Sequence, residues 1–226
     1  MSLFTPVNAQ CPACWTENEL QVVGSVNADR RRDLRQQILD RTFQEATCTH
    51  CATKFRLPPL FTYVDFERNQ WIQAYPSDEV ATWEEHEKDA QEIFNAVYGA
   101  DAPEAAQEIG QAMNRRLTFG WPAVTEKLLC GELGLDDVTL ELLKIAVLRS
   151  VPRPPLADGA ELRLERAEDG KLVLSWMMSA TEARLNSLRI PRDVYDDIAG
   201  DEAWAELRDE LTGHMFVDMN RLLIPA

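Results

Sequence analysis

Residues 11–15 read CPACW and residues 48–52 read CTHCA. Two Cys-x-x-Cys pairs with 33 residues between them have metal-ligand spacing. Each pair makes a tight knuckle offering two sulfurs, and a fold that joins the knuckles completes one tetrahedral shell. The spacer exceeds the ~15–20 residues of short zinc ribbons, so it must carry structure of its own. Four thiolates select zinc among common cytosolic metals. Cys11, Cys14, Cys48 and Cys51 are therefore expected to hold one structural zinc per chain, in a closed shell with no position for water or substrate. Two readings compete with zinc. Paired disulfides suit an exported chain, and a redox pair needs its motif to open a helix after a strand. Here Asn18, Glu19 and Leu20 lead from Cys14 into a strand-like run instead.

Outward from the knuckles, Leu20 to Val26 is rich in β-branched residues and reads as a strand. Leu34 and Ile38 set helical spacing within Asp29 to Leu39, with arginines on the outer face. Thr42–Thr47, Lys54–Leu57, Phe61–Glu67 and Trp71–Tyr75 follow as strands, broken by Pro58-Pro59 and by the ERNQ turn. CPACWTENELQVVGSVNAD, TFQEATCTHCATKF and FTYVDFERNQWIQAYP together resemble the CpXC domain family. These are zinc-ribbon-like bacterial and archaeal proteins named for paired Cys-Pro-x-Cys motifs and lacking an established activity. The resemblance extends to RLTFGWPAVTEKLLCGELGLDD and FVDMNRLLIP downstream. It implies that the family's metal-site cysteines fall on Cys11, Cys14, Cys48 and Cys51. Thr49 stands where the family usually has proline, and Trp15 and Ala52 follow the knuckles where glycine is common. A left-handed backbone there costs a non-glycine residue about 1 kcal/mol. Trp15 reads first as packing over the metal site, and second as an exposed partner anchor.

The expected class is α+β: a zinc-ribbon-like antiparallel β domain (1–76), an acidic helical region (77–150) and a small C-terminal α+β region (151–226). Trp83, Ala90, Ile93, Phe94 and Val97 stripe one helix, which Gly99 ends. A second runs from Asp101 and Pro103 to about Arg116. WPAVTEKLLCGEL and DDVTLELLKIAVL make a helical hairpin across Gly134. Its second helix opens on Asp136-Asp137 and is mostly apolar, which excludes a DNA-reading helix. Pro152, Pro154 and Pro155 punctuate the chain before a hairpin of alternating leucines turning at Asp169-Gly170. Acidic helices follow, and Phe216, Met219, Leu222 and Leu223 are expected to close a core. Met177-Met178 and Cys130 read as core filling.

Net charge is −15 with a pI near 4.6, which argues against a general binder of nucleic acid or anionic membrane. Residues 1–76 are balanced, 8 Lys/Arg against 8 Asp/Glu, so the acid lies downstream. No apolar run approaches the roughly 18 residues of a membrane span. MSLFTPVNAQ has neither the basic nor the apolar part of an export signal, so a cytoplasmic location is expected. Phosphate-loop, dinucleotide, nucleophile-elbow and zincin motifs are missing from the sequence. The acidic pairs Glu84-Glu85, Asp136-Asp137 and Asp196-Asp197 read as solvated faces and helix starts. Arg30, Arg31, Arg32 and Arg35 are the one basic cluster, and Phe61, Tyr63, Phe66 and Trp71 could line a groove beside it. The expectation is a non-catalytic interaction or adaptor protein with a protein partner. A nucleic-acid binder using the ribbon surface, or an enzyme with an unrecognised site between regions, are the alternatives.

Overall fold

The computed structural model describes residues 4–152 and 159–224, apart from the side chain of Leu223. Pro154, Pro155 and the packing expected of Leu223 lie outside what is described. β1 (Phe4–Gln10) and β2 (Glu17–Val23) form an antiparallel hairpin whose tip is the first knuckle. β3 (Ser25–Asn27) and α1 (Arg32–Leu39) follow. The second knuckle then joins β4 (Glu45–Thr47) to β5 (Lys54–Arg56). β6 (Phe61–Asp65) and β7 (Gln70–Tyr75) lead to α2 (Trp83–Tyr98), α3 (Glu104–Ala112), β8 (Asn114–Phe119), α4 (Trp121–Leu133) and α5 (Asp137–Ser150). The last third holds β9 (Ala160–Glu168), β10 (Lys171–Met178), β11 (Arg184–Pro191), α6 (Arg192–Gly200) and α7 (Ala205–Thr212). The architecture is α+β: two small ribbons at the knuckles, a mixed sheet ordered β3-β6-β7-β8, and an antiparallel sheet ordered β11-β10-β9.

Gly24 divides the strand expected over Leu20–Val26. The first part pairs with β1, which the sequence reading missed, and the second lies parallel to β6. The helix expected to reach Arg116 stops at Ala112, because Met113 is extended and Asn114–Phe119 runs parallel to β7. Leu117, Thr118 and Phe119 are buried there although β8 is the last strand of the sheet, and burial with pairing to β7 overrides local propensity. The hairpin turn at Asp169-Gly170 is as expected, both residues having positive φ, 49° and 70°.

α4 and α5 are buried on nearly every side, so Glu126, Lys127, Asp137, Glu141 and Lys144 are buried too, while Glu132 and Arg149 stay exposed. Lys144, Arg163, Lys127 and Arg116 meet Glu126, Glu141, Asp218 and Asp137 there, and Arg163 also holds Glu161 at 2.7 Å. Lys144 Nζ lies 2.5 Å from Glu126 and 2.8 Å from Glu141. Arg163 of β9 reaches Glu126 at 3.0 Å and Asp218 at 2.6 Å. Lys127 and Arg116 clasp Asp137 at 2.8 and 2.6 Å. The carboxylates' other oxygens accept from backbone N–H groups of Leu164 and Met219, and Lys127 donates to the Val217 carbonyl. Asp137 is thus not part of a solvated face, as the sequence reading had it. Burial opposes its charge, yet Lys127 and Arg116 hold its carboxyl well below the usual carboxylate range. Asp136 does cap α5, accepting from the Thr139 N–H at 2.8 Å. The network fixes the buried segment Met215–Met219 against α4 and α5.

Candidate metal centre

Both knuckles are built alike. In the first, the Trp15 N–H donates to the Cys11 carbonyl and the Cys11 N–H to the Thr16 carbonyl, each at 2.9 Å. In the second, Ala52 donates to Cys48 at 3.0 Å and Cys48 to Thr53 at 2.9 Å. Trp15 and Ala52 both adopt the left-handed backbone, φ 62° and 58°, at the two positions where the sequence lacks glycine. The hairpins oppose their tips so that all four sulfurs lie within 4.8 Å of one another. Cys11 Sγ is 3.6 Å from Cys51 Sγ, and Cys14 Sγ is 3.6 Å from Cys48 Sγ. A tetrahedral ion with metal–sulfur bonds of about 2.3 Å has sulfur–sulfur edges of about 3.8 Å. The donor set therefore fits one ion that the four cysteines could hold together. None of the sulfurs is at disulfide distance.

Groups around Cys48 and Cys51 favour thiolates. The backbone N–H groups of Cys51 and His50 draw the Cys48 thiol down to about 6, against the opposing effect of burial. Cys51 is lowered by the Thr53 hydroxyl, 3.2 Å away. Cys11, wholly buried, is pushed up to about 11 by burial, so a bound cation would have to displace its proton.

Asn18 joins the two knuckles. Its buried amide donates to the Thr16 carbonyl at 2.8 Å and approaches Cys48 Sγ at 3.7 Å. Its oxygen accepts from both the N–H and the hydroxyl of Thr49, at 2.9 and 3.0 Å. Proline at position 49 has no N–H to give, so the threonine found there is coupled to Asn18. Neighbours that orient metal ligands change affinity 10–100-fold when removed. Asn18→Ala is accordingly expected to weaken metal binding by about that factor, and competition with a chromogenic chelator measures it. Thr49→Pro is expected to show a smaller loss of the same sign.

Trp15 does not pack over the centre; its side chain is 73% exposed at the first knuckle. Nor do the arginines and aromatics share a groove: Arg32 and Arg35 line a cavity of about 250 Å³ with Asp65, Glu67 and Arg68, and none of those aromatics lines it. Arg31 is paired bidentately with Asp33, at 2.8 and 2.7 Å. Arg35 turns inward to Glu132 at 2.8 Å and Asp65 at 3.8 Å. Arg32 faces Glu67 at 3.8 Å, and the Arg30 backbone N–H is held by Asn27. Phe61, Tyr63 and Trp71 are buried in the sheet cores, leaving only Phe66 of that set exposed. The stacking platform imagined from sequence is spent on packing. Cys130 is buried in α4, and burial pushes its thiol well up, as suits a packing residue.

Sequence reasoning also missed Asn18, which sits in a strand with no pattern marking it. The buried charges on α4 and α5 did leave a signal: helices apolar on every face cannot keep their charges in water.

No helix among the described residues is long and apolar enough to cross a membrane. Comparison with curated proteins finds no match, and comparison with solved structures finds none either. Among known families, residues 9–144 match the CpXC protein family, a stretch that runs from the first knuckle past β8 and α4 into α5. With that match covering more than half of its length, and with four cysteines gathered as the paired motifs require, the chain belongs to the CpXC protein family.

Proposed function

We propose that the chain is a non-catalytic interaction protein whose ribbon is pinned by one structural zinc per chain and presents its surface to a protein partner. The observation that carries this reading is the closed set of four sulfurs within 4.8 Å. Such a shell has no vacancy for a substrate or an activated water, and four thiolates favour zinc over harder cations. The side chain of Trp15, 73% exposed at the first knuckle, supplies an anchor of the type that dominates protein interfaces. The paired arginines and buried aromatics favour a protein partner over nucleic acid.

Metal analysis of the purified chain should return about one zinc per chain. Cobalt substitution should give a tetrahedral tetrathiolate spectrum that added cyanide or azide leaves unchanged. A spectrum that shifts on adding those ligands would expose an open position and defeat the non-catalytic reading. Capture of partners from the native host, repeated with Trp15→Ala, tests the surface: zinc content should stay at the wild-type level while the captured protein is lost.

A further inference from the structure

The four sulfurs of the knuckles are not equally sheltered. Cys11 and Cys48 open their motifs and are buried, Cys14 is half-buried, and Cys51 is exposed. The hairpins explain the difference. Cys11 and Cys48 each donate a backbone N–H across the turn, to Thr16 and Thr53, and so belong to the ribbon's paired base. Cys51 lies in the turn itself, at the tip. A closed shell keeps water off a metal, but it does not cover the outer face of an exposed ligand sulfur. Oxidation of cysteine follows thiolate character and exposure, and it is productive where a resolving cysteine stands beside the one attacked.

Cys51 has that neighbour. Cys11 Sγ lies 3.6 Å from Cys51 Sγ, and Cys14 Sγ lies 3.6 Å from Cys48 Sγ. Both pairs cross from one knuckle to the other, and together they use each sulfur once. Closing either pair to a bond of about 2.05 Å asks for a movement of under about 2 Å. A Cys11–Cys51 bond joins residues 40 apart in the chain, and a Cys14–Cys48 bond joins residues 34 apart. Links over such spans restrict the unfolded chain far more than bonds inside a Cys-x-x-Cys turn. Crossed disulfides therefore keep the two hairpin tips together, whereas bonds within each knuckle leave them unjoined.

We propose that Cys51 is a site of oxidation by hydrogen peroxide, and that oxidation exchanges the metal for two crossed disulfides. The inference rests on the zinc reading of the centre. Cys51 Sγ attacks one peroxide oxygen; the S–O bond forms, the O–O bond breaks, and the departing hydroxide takes up a proton to become water. Cys11 Sγ then attacks the sulfenic sulfur of Cys51. The S–S bond forms, the S–O bond breaks, and the second hydroxide leaves with a proton as water. Each sulfur pair gives two electrons to one peroxide, so Cys14 and Cys48 consume a second molecule in the same way. An ion deprived of its anionic ligands is released, and a thiol reductant restores the four thiolates. Cys130, buried in α4, keeps its thiol.

The zinc content of the full chain is measured first, and hydrogen peroxide is then added with a chromogenic zinc indicator present. Release should reach about one zinc per chain as free thiols fall from five to the single Cys130. Dimedone present early in the reaction should label Cys51 ahead of the other cysteines. Peptide mapping without reduction should join the peptide of Cys11 and Cys14 to that of Cys48 and Cys51, and fragmentation should assign Cys11–Cys51 and Cys14–Cys48. Hydrogen exchange should find residues 4–23 and 45–56 protected in the oxidised, zinc-free chain and exposed once it is reduced beside a chelator. Disulfides confined within the knuckles, first labelling at another cysteine, or a thiol count that stays at five would each overturn the proposal. A chain that carries no zinc defeats the zinc reading alone, because the pairing of its thiols under peroxide still decides this one.

Discussion

Cys48→Ser is expected to abolish stoichiometric zinc binding and to melt both ribbons while leaving the two larger sheets folded. β1, β4 and β5 contain no buried residue. An isolated two-stranded hairpin is marginal in water. On the proposed reading a bound zinc would therefore supply most of the stability of this end of the molecule, since structural zinc contributes on the order of 10–16 kcal/mol in small peptides. The β3-β6-β7-β8 sheet stands on different ground. Ile38, Phe43, Phe61, Tyr63 and Trp121 pack there without reference to the sulfurs, and Phe43 meets Phe61 and Trp121 edge-on at 5.4 and 5.8 Å. Hydrogen exchange read by mass spectrometry should show residues 4–23 and 45–56 losing protection in Cys48→Ser or after chelation. Residues 61–75 and 160–191 should keep theirs. Ribbons that stay protected without metal would show that zinc is a passenger.

Lys144→Met should destabilise the chain by about 3–5 kcal/mol near pH 8, the cost of leaving buried carboxylates without their cation. Lys144 is wholly buried and bonds both Glu126 and Glu141. Burial works against the charge of Glu126, yet Lys144 and then Arg163 hold its carboxyl below the usual value, whereas burial keeps that of Glu141 raised. The sign with pH follows from linkage. A depressed carboxylate in the wild type contributes stability above its unfolded pKa and loses it as pH falls through the folded value. Without Lys144 the folded carboxyl values rise, so the variant's deficit is largest at alkaline pH. It shrinks on acidification by at most about 1.4 kcal/mol per pH unit for each proton taken up. Urea denaturation of both chains at pH 8 and pH 5, zinc present throughout, measures the difference at each pH. Adding Glu141→Gln should recover part of the loss, since glutamine keeps an acceptor for the Met219 N–H. A deficit below about 1 kcal/mol at pH 8 would mean that the charges are not held as a paired, dry network.

These two variants divide the molecule as its chemistry does. One end has almost no core and, on the proposed reading, would be held by coordination bonds. The other is held by apolar packing around a paired set of buried charges, which ties the segment Met215–Met219 to α4 and α5.

The amino-acid sequence alone determined the four-cysteine cluster and the local geometry around it. Cys11, Cys14, Cys48 and Cys51 announce themselves because a knuckle is a property of a few consecutive residues, and Trp15 and Ala52 mark its left-handed turn. The hairpin at Asp169-Gly170 was legible for the same reason. Tertiary structure alone decided what each side chain faces. The second half of Leu20–Val26 joins a different sheet from the first, Asn114–Phe119 becomes a strand by pairing with β7, and Arg35 folds inward to Glu132 97 residues away. Asn18 orders a knuckle 31 residues distant, and the charges of α4 and α5 find partners on β9 and near the C-terminus. Short-range patterns specify turns because a turn closes on itself. Burial and pairing belong to residues far apart in the chain, so they exist only once those residues meet.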